Sequence, residues 1–139
     1  MAIDGAFRSR IDKGQLLVDV IEEACINETL AAAEAGWLSE RASFGNLASI
    51  LSAIALDERR HAALGWKTAR WILGHRPDLR VDALRTFSRA AIRMDGALPT
   101  RGSEWVVALG CMPDALRRTV HAEVWRDVIQ PCSEALLSG

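Results

Sequence analysis

Apolar residues recur along the first half of the chain in steps of three and four, the spacing that collects side chains on one face of an α-helix. One series predicts a helix over residues 15–38, with the stripe Leu17, Ile21, Ala24, Ala31, Ala35 and Leu38. A second predicts a helix over about 46–73, with the stripe Leu47, Leu51, Ile54, Gly65, Thr68 and Ile72. The polar segment 39–45 predicts the turn between them. These two helices are expected to pair as an antiparallel hairpin.

The second half of the chain predicts two more long helices. One covers residues 78–94, and the other runs over 113–137 with a kink at Pro131, because proline cannot continue the helical hydrogen bonding. Between them, Gly96, Pro99 and Gly102 interrupt the first part of the segment 95–112, which predicts a loop with one helical turn. Helices joined by short connections favour an antiparallel bundle.

The composition agrees with a helical protein of one domain. Half of the 139 residues are hydrophobic and a quarter are charged, while proline is scarce and tyrosine is absent. We expect residues 1–14 to form a flexible N-terminal lead in which Asp12 caps the first helix. Residues 15–139 are expected to form an all-α antiparallel four-helix bundle.

Three ionisable residues interrupt the two apolar stripes. Glu28 lies on the first stripe, and Glu58 and His61 lie on the second, three residues apart and therefore on one face. The antiparallel register that pairs Ala24 with His61 also opposes Glu28 to Glu58, so two carboxylates and an imidazole would meet in the core. Carboxylates this close repel each other unless one is protonated or a cation lies between them. Oxygen and imidazole donors together suit iron, with manganese or zinc as alternatives.

The same residues resemble the ferritin-like family. Glu28 followed by Glu58-Arg59-Arg60-His61 looks like the first half of its motif, in which a Glu on one helix and a Glu-x-x-His on the next bind half of a carboxylate-bridged di-iron centre. Glu28-Thr29-Leu30-Ala31-Ala32 is similar to bacterial ferritin-like domains, and the resemblance covers residues 16–73. It implies an iron-dependent redox protein, a ferroxidase or an oxygen- or peroxide-activating oxidoreductase. The alternative is a non-catalytic bundle of the same fold that serves self-association or interaction.

The second half of the chain departs from the family pattern because it has no second Glu-x-x-His. Two chains could each contribute the three residues across a two-fold axis, as a resemblance to encapsulated ferritins would imply. Alternatively, the second half has lost its ligands and the site is partial, or Glu123 or Asp127 completes it within the chain. Glu23 and His121 are further candidate ligands, and Glu23 and Glu34 are candidate outer or entry groups of the site. The length of the last two helices favours a bundle that covers the site within one chain, with a homodimer or higher homo-oligomer forming elsewhere.

Charge and cysteine content exclude several other classes. A formal net charge of −1 and the lack of a basic tract predict neither a nucleic-acid nor a membrane partner. Residues 1–10 lack the apolar core of a signal peptide, and no apolar run reaches the length of a membrane span. Cys25, Cys111 and Cys132 show no Cys-x-x-Cys spacing and are expected to be free, buried thiols. The sequence therefore predicts a cytoplasmic protein.

Overall fold

A computed structural model describes residues 12–94 and 104–139, and within these ranges the chain is helical and contains no strand. Helix α1 consists of an α-helical Lys13–Asp19, a π-helical Val20–Asn27 and an α-helical Glu28–Ser39. Helix α2 is Leu47–His75, and a 3₁₀ turn, Pro77–Leu79, leads into α3, Arg80–Met94. Helix α4 is the short Glu104–Ala108, and α5 consists of Asp114–Val124, a π-helical Trp125–Ile129 and Gln130–Ser138. The all-α class and the four long predicted helices are confirmed.

The ends of the hairpin follow from local chemistry. The Oδ1 atom of Asp12 accepts hydrogen bonds from the backbone N–H groups of Gly14 at 2.9 Å and Gln15 at 3.4 Å, which confirms the predicted cap. Gly45 has a φ of 57°, a left-handed conformation that glycine adopts without steric cost, and it turns the chain before α2. Most of the predicted lead, residues 1–11, and the first part of the predicted loop, residues 95–103, lie outside the described residues.

Small residues bring α1 and α2 into close contact. A Cβ atom added to Gly65 would lie 2.5 Å from the Cβ of Ala24, and one added to Gly36 would lie 3.9 Å from the Cβ of Ala55. Ala24 therefore packs on Gly65, one helical turn beyond the predicted partner His61. The predicted register is wrong by that turn, because the helices approach most closely where side chains are smallest.

The two π-helical segments shift the buried stripes that a regular period predicts. In α5 the buried series passes from Val120 through the half-buried Val124 to Ile129, whereas Val128, which a regular helical period would bury, is 41% exposed. A π segment holds one extra residue in a turn, so the buried position moves on by one. The segment ends just before Pro131, whose ring would otherwise crowd the carbonyl of the residue four positions earlier. The break predicted at this proline thus takes the form of a π segment.

The main core lies between the first half of α1, the second half of α2, α3 and the end of α5. Trp66 of α2 stacks on Phe87 of α3 with ring centroids 5.8 Å apart. The most deeply buried members of this core are Leu17, Ile21, Cys25, Ala69, Ala83 and Ile129. A smaller cluster around Leu38, Met112 and Val120 joins the end of α1 to the start of α5. Both clusters are built on α1, which is the central helix of the fold.

Helix α2 has one covered face and one open face. It packs on α1, while α3 and α5 make most of their contacts with α1 and with each other. Four large apolar side chains on the open face are 44% to 65% exposed: Ile50, Ile54, Leu64 and Trp71. The expectation that the last two helices cover this part of α2 within one chain is therefore wrong. No helix in the described ranges is both long and apolar enough to cross a membrane.

Candidate metal centre

Glu28, Glu58 and His61, here called the acidic trio, meet between α1 and α2. Glu28 is the first α-helical residue after the π segment of α1, and Glu58 and His61 are one turn apart on α2. The Nδ1 atom of His61 lies 3.3 Å from Oε2 of Glu58 and 3.9 Å from Oε2 of Glu28. One ligand atom from each residue lies within 4.8 Å of those of the other two. The structure thus brings together the three residues that the sequence singled out.

The trio lies at the surface, although the stripe pattern predicts it in the core. The side chain of Glu58 is 27% exposed and that of Glu28 is 33% exposed, whereas that of His61 is 62% exposed. The shift of register explains the difference, because the covered face of α2 follows Ala62 and Gly65 and turns His61 toward the open face. The prediction of a buried histidine is therefore wrong, and the long glutamate side chains still reach it.

The two carboxyl groups of the trio shift each other's pKa in opposite directions. The pKa of Glu28 is raised, first because its carboxyl hydrogen-bonds to Glu58 and then because it is desolvated and faces the charge of Glu58. The pKa of Glu58 is lowered, because it accepts that hydrogen bond and also interacts with His61. Glu58 is therefore the more acidic member of the pair, and ionisation of both would leave two carboxylates facing each other.

No lysine or arginine in the described residues forms an ion pair with Glu28 or Glu58. The arginine beside the trio, Arg60, pairs instead with Asp57 at 3.4 Å. His61 is thus the basic side chain that contacts the two acids. Two neighbouring acids without a lysine or arginine partner favour a cation beside them.

The trio fits a single metal ion. Carboxylate oxygen and imidazole nitrogen bind first-row metals at about 2.0–2.2 Å, so two ligands of one ion lie within roughly 4 Å of each other. The two distances from His61, 3.3 and 3.9 Å, meet this condition, and all three ligand atoms lie within 4.8 Å of one another. Two oxygens and one nitrogen leave further coordination positions open. In residues 12–94 and 104–139, the trio is the one group of three such ligands this close together.

The other candidate ligands are not brought to the trio. Glu23 is exposed, accepts a hydrogen bond from Asn27 at 3.2 Å, and is near enough for its charge to help raise the pKa of Glu28. The three candidates on α5 lie elsewhere. Asp127 pairs with Arg126 at 2.7 Å, Glu123 is exposed, and His121 contacts a different glutamate. Glu23 is thus the one additional candidate near the trio.

A second cluster, here called the Glu34 cluster, joins α1 to α5. Oε1 of Glu34 accepts a hydrogen bond from Nε of Arg117 at 2.9 Å, and Oε2 lies 3.2 Å from Nε2 of His121. Nη1 of Arg117 also donates to Asp114 at 3.0 Å. The sequence suggested Glu34 only as an outer group of the metal site. The four-residue spacing of Arg117 and His121 on one helix face is the signal that could have indicated their common partner.

Hydrogen bonds hold the backbone next to Glu28 in place. The indole N–H of Trp66 donates to Oγ1 of Thr29 at 3.2 Å, and that hydroxyl donates to the carbonyl of Cys25 at 2.5 Å. Burial, with a contribution from Cys132, raises the pKa of the Cys25 thiol to about 12. Cys25 is therefore a protonated core residue and not a thiolate ligand. Cys111, predicted to be buried, is exposed.

Comparison of the chain with protein-family models, curated proteins and solved structures found no match. The resemblance to the ferritin-like family therefore remains a prediction that depends on the residues of the trio and their spacing.

Proposed function

We propose that this chain is a ferritin-like, metal-binding protein that holds iron through Glu28, Glu58 and His61 in an antiparallel four-helix bundle. The observation that carries the proposal is the convergence of these three side chains within 4.8 Å. A bound iron ion would supply one-electron redox chemistry for ferroxidase activity or for activation of oxygen or peroxide. Manganese or zinc could occupy the same donors.

Each residue of the trio has a distinct part in binding. Glu58, whose pKa is lowered, offers its carboxylate more readily. Glu28, whose pKa is raised, must be ionised to become a ligand, so a bound metal would favour its deprotonated form. His61 is a ligand only when neutral, and its Nδ1 atom is the ring nitrogen directed at both acids. Metal binding should therefore weaken as the pH falls.

A second copy of the chain is the partner that would complete the site. Three protein ligands are too few for a di-iron centre, and a two-fold axis would supply an identical trio. The open face of α2 favours this arrangement over completion within one chain, because Ile54 and Leu64 flank His61 there and are 44% and 65% exposed. Exposed apolar residues grouped on one face are typical of a protein interface.

Metal counting on purified protein tests the ligand set. The wild type, loaded anaerobically with Fe(II) and then desalted, should retain iron, and a variant with Glu58→Gln and His61→Ala should retain only a trace. The matched control carries Glu134→Gln and His75→Ala, which remove the same two chemical groups from exposed positions outside the trio. Equal, trace amounts of iron in the wild type and the trio variant would refute metal binding.

Light scattering on the same samples tests the shared site. The wild type should form a dimer with two trios, and Leu64→Glu should give a monomer that retains less iron per chain. Ile92→Glu on α3, where the side chain is 76% exposed, is the control for adding a charge at the surface. A wild-type monomer with a full complement of iron would exclude the shared centre.

The second candidate function is a non-catalytic interaction module, and the open apolar face of α2 is the observation that favours it. Under this alternative, Leu64→Glu would still abolish self-association while the trio variant would leave it unchanged. A dimer that forms without metal and retains none after loading would support the module over the metalloprotein.

A further inference from the structure

Two cavities meet between the last turns of α2 and the last turns of α5, on a part of the surface that does not include the acidic trio. One has a volume of about 240 Å³ and lies beside Arg70 and Arg80, and the other has a volume of about 280 Å³ and lies beside Trp66. Arg70 and Leu136 belong to the walls of both, so the cavities form one continuous groove. Its two parts together reach the size range of small-molecule sites.

The wall of the first part of the groove carries two arginine side chains and no acidic side chain, and Gly139 also lines it. Within the described residues neither Arg70 nor Arg80 forms an ion pair with an acidic side chain. The Nε atom of Arg80 is shielded from solvent and has no hydrogen-bond acceptor in this part of the chain. Buried donors are normally satisfied, because an unsatisfied one loses its hydration without compensation. A planar guanidinium matches the two oxygens of a carboxylate.

The second part of the groove is apolar. The indole of Trp66, the side chain of Leu136 and the thiol of Cys132 line it, and Arg70 is the charged residue in its wall. Trp66 is also fixed by its stacking on Phe87, so this surface is rigid. An open apolar depression that adjoins two arginines fits a molecule with an anionic head and a hydrocarbon chain.

We propose that this groove binds a long-chain carboxylate, with the head group at Arg70 and Arg80 and the chain along Trp66 and Leu136. The proposal is independent of the metal site, since it uses none of the trio. A head group alone would leave the apolar part of the groove empty, and a chain alone would leave the two guanidinium groups without an acceptor. The two features together therefore select an amphipathic anion.

Equilibrium dialysis with labelled oleate below its micellar concentration tests the proposal. The full chain should bind about one oleate, and Arg70→Gln with Arg80→Gln should weaken binding at least tenfold, about the loss expected for one charge-assisted contact. Arg85→Gln with Arg89→Gln, a pair exposed on α3, removes the same charge elsewhere and should leave binding unchanged. Ala135→Phe, which fills the groove without removing an arginine, should also weaken binding.

Competing probes define the outcomes that would overturn the proposal. Oleyl alcohol, which keeps the chain but lacks the carboxylate, and inorganic phosphate, which lacks the chain, should each displace oleate poorly. Oleyl alcohol that binds as tightly as oleate would show a purely apolar surface, and phosphate that does so would show a simple oxyanion site. Unchanged binding of oleate to the arginine double variant, with its circular dichroism also unchanged, would place the ligand elsewhere.

Discussion

The acidic trio and the Glu34 cluster both join a glutamate of α1 to a histidine of another helix, yet their charges are balanced differently. In the Glu34 cluster, Arg117 and His121 each engage one oxygen of a single carboxylate. In the trio, two carboxylates face one imidazole, and within the described residues no lysine or arginine joins them. The charges of the first arrangement are balanced within the chain, whereas in the second the two acids shift each other's pKa in opposite directions.

This difference separates a structural ion cluster from a candidate ligand site. The side chains of Glu34 and His121 are 22% and 21% exposed and join α5 to α1. Their role is therefore structural. The trio is more open, since His61 is 62% exposed, and it lies beside the uncovered face of α2. Similar residue types thus have different expected functions because the neighbouring charges differ.

The largest expected effect on stability comes from disturbing the close contact of α1 with α2 beside the trio. Gly65→Ala would place a Cβ 2.7 Å from the backbone carbon of Ala24, so α1 and α2 must move apart beside the trio. We expect a loss of about 3 kcal/mol in the free energy of unfolding, the upper end for overpacking, and weaker metal binding. Urea denaturation measures the first and metal retention the second.

Gly74→Ala is the control for Gly65→Ala, because it adds the same methyl group to the same helix at a position with no heavy atom within 4 Å. It should stabilise the protein by about 0.5–1 kcal/mol through the lower entropy of the unfolded chain. If Gly65→Ala were as stable as the wild type, the close contact of α1 with α2 at the trio would be contradicted.

Metal should stabilise the protein through the trio and not through the Glu34 cluster. At a free Mn(II) concentration one hundred times the dissociation constant, a ligand specific to the native state adds about 2.7 kcal/mol to the free energy of unfolding. Glu58→Gln should remove this gain, whereas Glu34→Gln should keep it. Thermal unfolding with and without Mn(II) provides the measurement. If Mn(II) raises the unfolding temperature of both variants equally, the trio is not the metal site that distinguishes the two clusters.

Without metal, the Glu34 cluster should matter more for stability than the trio does. Arg117→Gln leaves the half-buried Glu34 with only His121, and we expect a loss of about 1–2 kcal/mol after allowance for solvent screening. Arg118→Gln, the exposed neighbour on the same helix, should change stability by less than about 0.5 kcal/mol. If the urea denaturation curves of the two variants coincide, the cluster does not stabilise the packing of α5.

The smallest expected effect is Glu28→Gln in the metal-free protein, where stability should be unchanged or slightly higher near neutral pH. The raised pKa of Glu28 stabilises the fold below the ordinary value of about 4.5, and this stabilisation is lost as the pH rises through the raised value. Glutamine keeps a hydrogen-bond donor at every pH, so the variant should gain on the wild type as the pH rises. Urea denaturation from pH 4 to 8 tests this, and a large loss in the variant would indicate a structural glutamate.

The sequence by itself determined the helices and the members of the trio. Periodicity, turn residues and the Asp12 cap are local, so they located α1, α2, α3 and α5 without knowledge of the tertiary contacts. Glu28, Glu58 and His61 were also identified correctly as neighbours, because long side chains tolerate an error of one turn in the register.

Only the tertiary structure decided the depth of the site and the identity of the partners around it. The register depends on where Ala24 and Gly65 allow backbones to touch, and the π segments move the buried stripes by a residue, which a regular period of 3.6 does not anticipate. Helices α3 and α5 pack on α1 and leave the face of α2 beside His61 open. This arrangement depends on which apolar surfaces, far apart in the chain, pack together. Local sequence patterns encode each apolar surface but not which surfaces pack against each other. That pairing determines whether a carboxylate has an arginine beside it or stays available for a metal.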